Sequence, residues 1–177
     1  TDADIQLTFL SAIQAALAGQ RQAAKPPRWD QAYATLSASD NEQVRLRATA
    51  LGVTFGDAQA MQALRGTLLD TAATAGARQE SLEALLAAND PQLAPALIRL
   101  LSADTASELR QAAIRGLAQY DSPPATAALL QHYSQFTAAE RRAAVATLSS
   151  RVSSARALLQ AIADSKIAAA DLTADLA

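Results

Sequence analysis

The chain has 177 residues, of which 50% are hydrophobic, 4% aromatic and 18% charged, with no cysteine and a formal net charge of −2. Without cysteine it can form no disulfide, thiolate nucleophile, zinc ribbon, iron–sulfur cluster or covalent c-type haem. The net negative charge argues against nucleic acid as a partner, and no apolar run is long enough to span a membrane. Alanine and leucine dominate the composition, which is typical of an all-α protein.

Hydrophobic periodicity and helix-end signals predict one single helix, four helix pairs and a last helix. We expect the single helix over 4–17, the pairs over 28–38 with 41–55, 57–72 with 76–88, 91–102 with 105–119 and 123–135 with 137–150, and the last helix over 153–164. The segment 18–27 is expected to be an irregular loop, and 167–176 a short helix.

Helix starts carry their own signals. Thr137 and Glu140 have the spacing of a capping box, and Ser107 is expected to cap the second helix of the preceding pair. Pro91 and Pro123 are expected at or near a first helical position, where a missing N–H costs nothing.

The helix pairs repeat with a period of 31 to 33 residues. In each repeat an arginine is followed three positions later by a small residue, and these arginines form what we call the arginine ladder: Arg45, Arg78, Arg110 and Arg141. Because a helical hairpin buries its apolar face only against neighbouring hairpins, such a period indicates an α-solenoid. The sequence therefore predicts an α-α superhelix of about five helical hairpins, forming one domain over residues 1–177.

The arginine ladder has two interpretations. Equally spaced guanidinium groups could bind an elongated polyanion. Alternatively, each arginine could pair with an aspartate at the turn of the adjoining repeat, for which Asp57, Asp90 and Asp121 provide a series. The net negative charge and the absence of interleaved aromatic residues favour the structural interpretation.

Three single residues could carry chemistry, but a structural role is favoured for each. His132, the only histidine, has no second histidine or paired carboxylate nearby to make it a ligand or general base. Met61 is expected to fill the core. Trp29, the only tryptophan, could anchor a partner, although a core position that holds the 18–27 loop is favoured.

Oxygen-bearing side chains cluster at two helix starts but lack the spacing of a calcium loop, so capping and solvation are the expected roles of Asp2, Asp4, Asp40, Asn41 and Glu42. The sequence therefore predicts no catalytic, cofactor-binding or metal-binding residue in this chain.

The unit Val-Arg-x-x-Ala-x-x-Leu-Gly at 44–52 resembles the second helix of a HEAT repeat. The order of further segments resembles the HEAT-repeat region of large membrane-bound dehydrogenases of planctomycetes and verrucomicrobia: 29–33, 50–57, 81–91, 115–123, 137–151 and 166–172. That resemblance implies a parent protein with a preceding β-propeller and a following c-type cytochrome domain, exported to the periplasm. No haem-binding or catalytic residue of the family maps onto this chain, so haem c is expected only in a downstream domain.

The leading expectation is a non-catalytic HEAT-like scaffold or protein-interaction module that links the redox domains of such a parent, of which this chain would be a fragment. A free-standing protein–protein adaptor in the cytoplasm is the alternative, and a HEAT-like DNA glycosylase using Asp104 or Asp121 is a third. Apolar residues in both end segments favour missing neighbours over capped ends: Ile5, Leu7, Phe9 and Leu10 at one end, and Ile167, Leu172 and Leu176 at the other.

Overall fold

The structure is a computed structural model that describes residues 3–20 and 22–172. The described residues form ten α-helices and no strand: α1 (Ala3–Ala16), α2 (Trp29–Ser37), α3 (Glu42–Thr54), α4 (Ala58–Leu69), α5 (Ala75–Ala87), α6 (Ala94–Arg99), α7 (Ser107–Gly116), α8 (Pro123–His132), α9 (Ala138–Ser149) and α10 (Val152–Ala163). Short 3-10 turns follow α7 and α8 at Leu117–Gln119 and Tyr133–Gln135. The all-α class is confirmed, and nine of the ten helices lie close to their predicted bounds.

The helices divide into two compact units, Thr1–Asp90 and Pro91–Ala177. In the first unit α2 packs on α3 and α4 on α5, while α1 packs against α3. In the second unit α6 packs on α7, and the next hairpin adds α8 beside α6 and α9 beside α7. This packing of equivalent helices is that of an α-solenoid. The single domain over residues 1–177 that the sequence indicates stays a prediction.

Hydrogen bonds between neighbouring repeats join positions one period apart. In the first unit Arg47 Nη1 donates to Gln14 Oε1 at 3.0 Å, across 33 positions. In the second unit the Thr147 hydroxyl donates to the carbonyl of Ile114 at 3.0 Å, also across 33 positions. Equivalent residues of successive repeats therefore lie side by side, as the sequence period predicts.

The sequence prediction is wrong at the start of the third helix pair. The helix predicted from Pro91 begins only at Ala94 and ends at Arg99. A helix through Pro91 would need the N–H of Pro95 to bond the carbonyl of Pro91, and proline has no N–H to donate. With the start at Ala94, Pro95 lies in the first turn, where its missing N–H is tolerated.

The remaining helix ends bring two confirmations and two corrections. The capping box of Thr137 and Glu140 is present at the start of α9, and Pro123 is the first residue of α8. Ser107 does not cap α7, because Ala106 occupies the N-cap and Ser107 is already helical. In the described part of the helix predicted over 167–176, residues 169–171 form a 3-10 turn instead, and residues 173–176, including Leu176, lie outside the described residues.

Helices α3 and α4 approach each other closely at Gly52. A Cβ atom built on Gly52 would lie 2.5 Å from Cβ of Ala60, which is fully buried in the core. The side chain of Ala60 is one rigid methyl group, so an added methyl on Gly52 would force the two helices apart. Gly66, in α4, has open space around the same position.

We therefore predict opposite effects for two Gly→Ala substitutions. Gly52→Ala should lower the free energy of unfolding by about 1–3 kcal/mol through overpacking. Gly66→Ala should raise it by up to about 1 kcal/mol, because alanine favours the helix and nothing obstructs its methyl group. Urea unfolding followed by circular dichroism measures both, and a Gly52→Ala protein at least as stable as the wild type would contradict the close approach.

Candidate functional site

The arginines of the ladder are half-buried, except Arg110, which is buried. Each of them is the fourth residue of its helix (α3, α5, α7 or α9) and reaches back to carbonyl oxygens at or just after the end of the preceding helix. Arg45 Nη1 donates to the carbonyls of Ser39 and Asp40 at 2.7 and 3.0 Å. The acceptor of Arg78 Nε is the Leu68 carbonyl at 2.9 Å, and that of Arg141 Nη2 is the Ser134 carbonyl at 3.1 Å. The guanidinium groups therefore satisfy orphan carbonyls of each hairpin turn.

Arg110 makes the most extensive of these contacts. Its Nη1 donates to the carbonyls of Ser102, Ala103 and Thr105, each at 3.2 Å. Its Nε and Nη2 donate to the two carboxylate oxygens of Glu140 at 2.8 and 3.3 Å, so the ion pair joins α7 to α9. Glu140 is 0% exposed, and its oxygens also accept from the Ser107 hydroxyl and the Thr137 N–H.

The ladder arginines thus have partners within the fold, but the aspartate partners expected for them are wrong. Asp57 caps α4 through the N–H groups of Gln59 and Ala60 and lies 3.7 Å from Lys25 Nζ. Asp90 pairs with Arg65, and the exposed Asp121 accepts from the Ser153 hydroxyl. The acceptors of Arg45, Arg78 and Arg141 are instead carbonyls of their own hairpin turns.

The single candidate residues lie within helices or at helix ends. Met61 is buried in the core, and His132 is half-buried at the end of α8. Asn41 caps α3 by accepting from the N–H groups of Gln43 and Val44. Asp40 and Glu42 flank this cap and Asp4 lies in the first turn of α1, whereas Asp2 is outside the described residues.

The two residues considered for glycosylase chemistry, Asp104 and Asp121, are exposed and lie in separate interhelical segments. Over residues 3–20 and 22–172, no group of three or more histidines and carboxylates could hold a metal ion. No described helix has the length and apolarity needed to cross a bilayer.

Trp29 lies in the core, as the sequence favours. It is 6% exposed, and its ring meets that of Phe55 edge-on, with centroids 4.8 Å apart and an interplanar angle of 69°. Ala23, from the irregular loop, packs against the same cluster and donates its N–H to the Thr54 carbonyl. The loop is therefore held onto the first unit beside Trp29.

An apolar groove opens over this cluster, and we call it the α1 groove. Its volume is about 560 Å³, and it is lined by Ile5, Gln6, Phe9, Leu10, Ile13, Pro26, Pro27, Arg28, Trp29, Ala32, Leu36 and Phe55. Ile5, Phe9 and Ile13 are 52%, 67% and 38% exposed and lie four residues apart on α1. A helix with such a stripe normally buries it, so the groove is an unpartnered packing surface.

Arg28 is the charged residue of the α1 groove. It is exposed, immediately precedes α2, and makes no ion pair or side-chain hydrogen bond with any part of the chain the structure describes. Its backbone is left-handed, with φ of 65°. The neighbouring cation Lys25 is instead paired with Asp30 at 2.7 Å.

The sequence pointed to part of this site. Ile5 and Phe9 are exposed, as expected of an end segment without a neighbour, but Leu7 is half-buried and Leu10 is buried. At the other end Ile167 is buried and Leu172 is exposed. Pro26, Pro27 and Arg28 were not predicted to join the apolar stripe of α1, and no periodicity in the sequence connects them to it.

Comparison with known proteins supports the repeat assignment. A family model described as HEAT repeats matches residues 67–150, so the chain contains a HEAT-repeat region. Neither the curated proteins nor the solved structures gave a match. The resemblance to the dehydrogenase family stays a prediction.

The first prediction from these contacts concerns the ion pair. Glu140→Ala should lower the free energy of unfolding by about 3–5 kcal/mol, because it leaves the buried Arg110 without its carboxylate and removes half of the capping box. Glu108→Ala, which removes an exposed carboxylate from the first turn of α7, should change it by about 0.5 kcal/mol or less. Urea unfolding measures both, and equal losses would show that the pair is not specifically stabilising.

The second prediction concerns pH. Burial by itself would raise the pKa of Glu140, but the hydrogen bonds from Arg110, Thr137 and Ser107 outweigh it and lower the pKa from 4.5 to about 2. Because the folded pKa lies below the unfolded one, this stabilisation is present above about pH 4.5 and is lost as the pH falls towards 2. The stability difference between wild type and Glu140→Gln should therefore shrink over that window in urea titrations. A difference that stays constant down to pH 2 would contradict the assignment.

Proposed function

We propose that this chain is a non-catalytic HEAT-repeat scaffold that binds a partner protein through the α1 groove. HEAT repeats suggest a protein-interaction scaffold. The observation that points to the α1 groove as the binding surface is its exposed stripe of Ile5, Phe9 and Ile13, which lies above buried aromatic residues. Contiguous exposed apolar surface of this kind marks interaction sites in soluble proteins. Aromatic residues at the centre of such a surface tend to supply most of the binding energy.

The chain's place in a larger protein follows from the family resemblance. We propose that the scaffold links the redox domains of an exported, periplasmic dehydrogenase that carries c-type haem in another domain. The reading frame beyond Ala177 tests this, because a Cys-x-x-Cys-His motif downstream supports the family and its absence removes it. A free-standing adaptor would use the same groove, whereas nucleic-acid binding finds no support in a ladder whose guanidinium groups bond to carbonyl groups and to Glu140.

The binding role can be tested with a displayed library of helical peptides about 18 residues long, or five turns. Peptides enriched on the wild-type chain should bind Phe9→Asp at least about tenfold more weakly, because the charge enters the centre of the apolar stripe. Leu159→Asp is the matched control, since Leu159 is 61% exposed on α10 and lies outside the groove. It should bind the same peptides as the wild type does.

Two results would contradict the proposal. One is a library from which no peptide is enriched, and the other is a set of peptides that bind Phe9→Asp as well as the wild type. Circular dichroism of both variants would show that each has kept its helical fold.

A further inference from the structure

The shape of the α1 groove identifies the kind of element that fits it. Ile5, Phe9 and Ile13 follow a four-residue spacing along α1, and their Cα atoms span about 12 Å at 1.5 Å per residue. Such a ridge is what the side chains of another α-helix pack against, ridge into groove. The apolar stripe of a partner helix of three to four turns would cover it.

The openness of the groove argues against a small apolar ligand. Sites for small molecules bury most of the ligand surface in a cleft. Here the upper wall is formed by side chains that are themselves half or more exposed, such as Ile5 and Phe9. A fatty acyl chain laid in this groove would keep much of its surface in water, whereas a helix would turn its own polar face outwards.

The charge at the groove indicates what the partner helix carries. Arg28 is the cation among the lining residues, and none of the described residues that line the groove is a carboxylate. Arg28 is the N-cap residue of α2, and a carboxylate, Asp30, already lies in the first turn of that helix, where it pairs with Lys25. The attraction for an anion at the groove therefore comes from the Arg28 guanidinium.

The backbone of Arg28 adopts the left-handed conformation, which is strained for a residue other than glycine. A non-glycine residue at φ of 65° costs about 1–2 kcal/mol relative to an unstrained conformation. Glycine would adopt this conformation without that cost. A charged side chain at a position where glycine would be less strained fits a role in binding.

Building on the proposed function, we infer that the partner of the α1 groove is an amphipathic α-helix of another protein, with an apolar stripe facing Phe9 and a glutamate or aspartate that pairs with Arg28. The apolar stripe supplies affinity, and the carboxylate sets the position and direction of the helix along the groove. Because the pair lies at the rim, its effect is selective rather than large.

The test uses one enriched peptide that contains no tryptophan, made in two forms that carry Glu or Lys at the position of its acidic residue. Trp29 is the only tryptophan of the chain and lies in the groove, so its fluorescence reports binding directly. The wild type should bind the Glu form about three- to tenfold more tightly than the Lys form at low salt. This preference should fade at high salt.

Substitutions of Arg28 make the test specific. Arg28→Glu should reverse the preference, and Arg28→Gln should abolish it, while both keep the Cβ atom and thus the same backbone cost. Arg156→Glu changes an exposed arginine outside the groove and should leave the preference as in the wild type. Arg28→Gly should unfold at no lower urea concentration than the wild type and still lose the preference, which separates binding from stability.

The outcomes distinguish this inference from the proposed function. If the peptides depend on Phe9 but show no charge preference, or a preference that Arg28→Glu does not reverse, the inference is wrong and the binding role stands. If no peptide depends on Phe9, both are wrong. If sodium dodecanoate binds as tightly as the Glu peptide with the same dependence on Arg28, the site takes an aliphatic carboxylate and the helix partner is wrong.

Discussion

The fold depends on the side-by-side placement of residues one repeat apart. Arg47 bonds to Gln14, and Thr147 to Ile114, across the same 33 positions. Such bonds form only if successive hairpins are stacked without slipping along each other. The close approach at Gly52 and Ala60 also fixes the position of α3 against α4, because only small residues let the two helices lie so near. Alanine-rich helices therefore provide the tight spacing on which the interhelical bonds rest.

The contacts of the arginine ladder repeat in the same way in the hairpin turns. Since each ladder arginine lies in the first turn of the second helix of its hairpin, its guanidinium meets the carbonyls left open at or just beyond the end of the first helix. Arg110 adds a carboxylate partner in the neighbouring repeat. Guanidinium groups that bond to carbonyls and to Glu140 in this way do not form a row of unpaired cations on the surface. In the first unit the α1 groove is apolar apart from Arg28, its charged lining residue.

Sequence periodicity predicted the helices and the repeat because both depend on local patterns. It placed the third pair too early because the proline at Pro91 is a typical helix start, whereas Pro95 prevents a helix from beginning there. It missed the carbonyl partners of Arg45 and Arg78, since backbone acceptors leave no mark in the sequence. Among the residues of the α1 groove, the sequence singled out Ile5, Phe9 and Leu10 as apolar residues of an end segment and Trp29 as a core residue or partner anchor. The groove itself was not predicted, because its other wall comes from the irregular loop and Phe55, which only the fold brings together.

We place partner binding on the outer face of α1 and the start of α2. Hydrogen–deuterium exchange of the whole chain, with and without an enriched peptide, maps this contact. Binding there should add protection in α1, in the segment that contains Pro26, Pro27 and Arg28, and in the first turns of α2. Protection confined to other helices, with α1 unchanged, would contradict it.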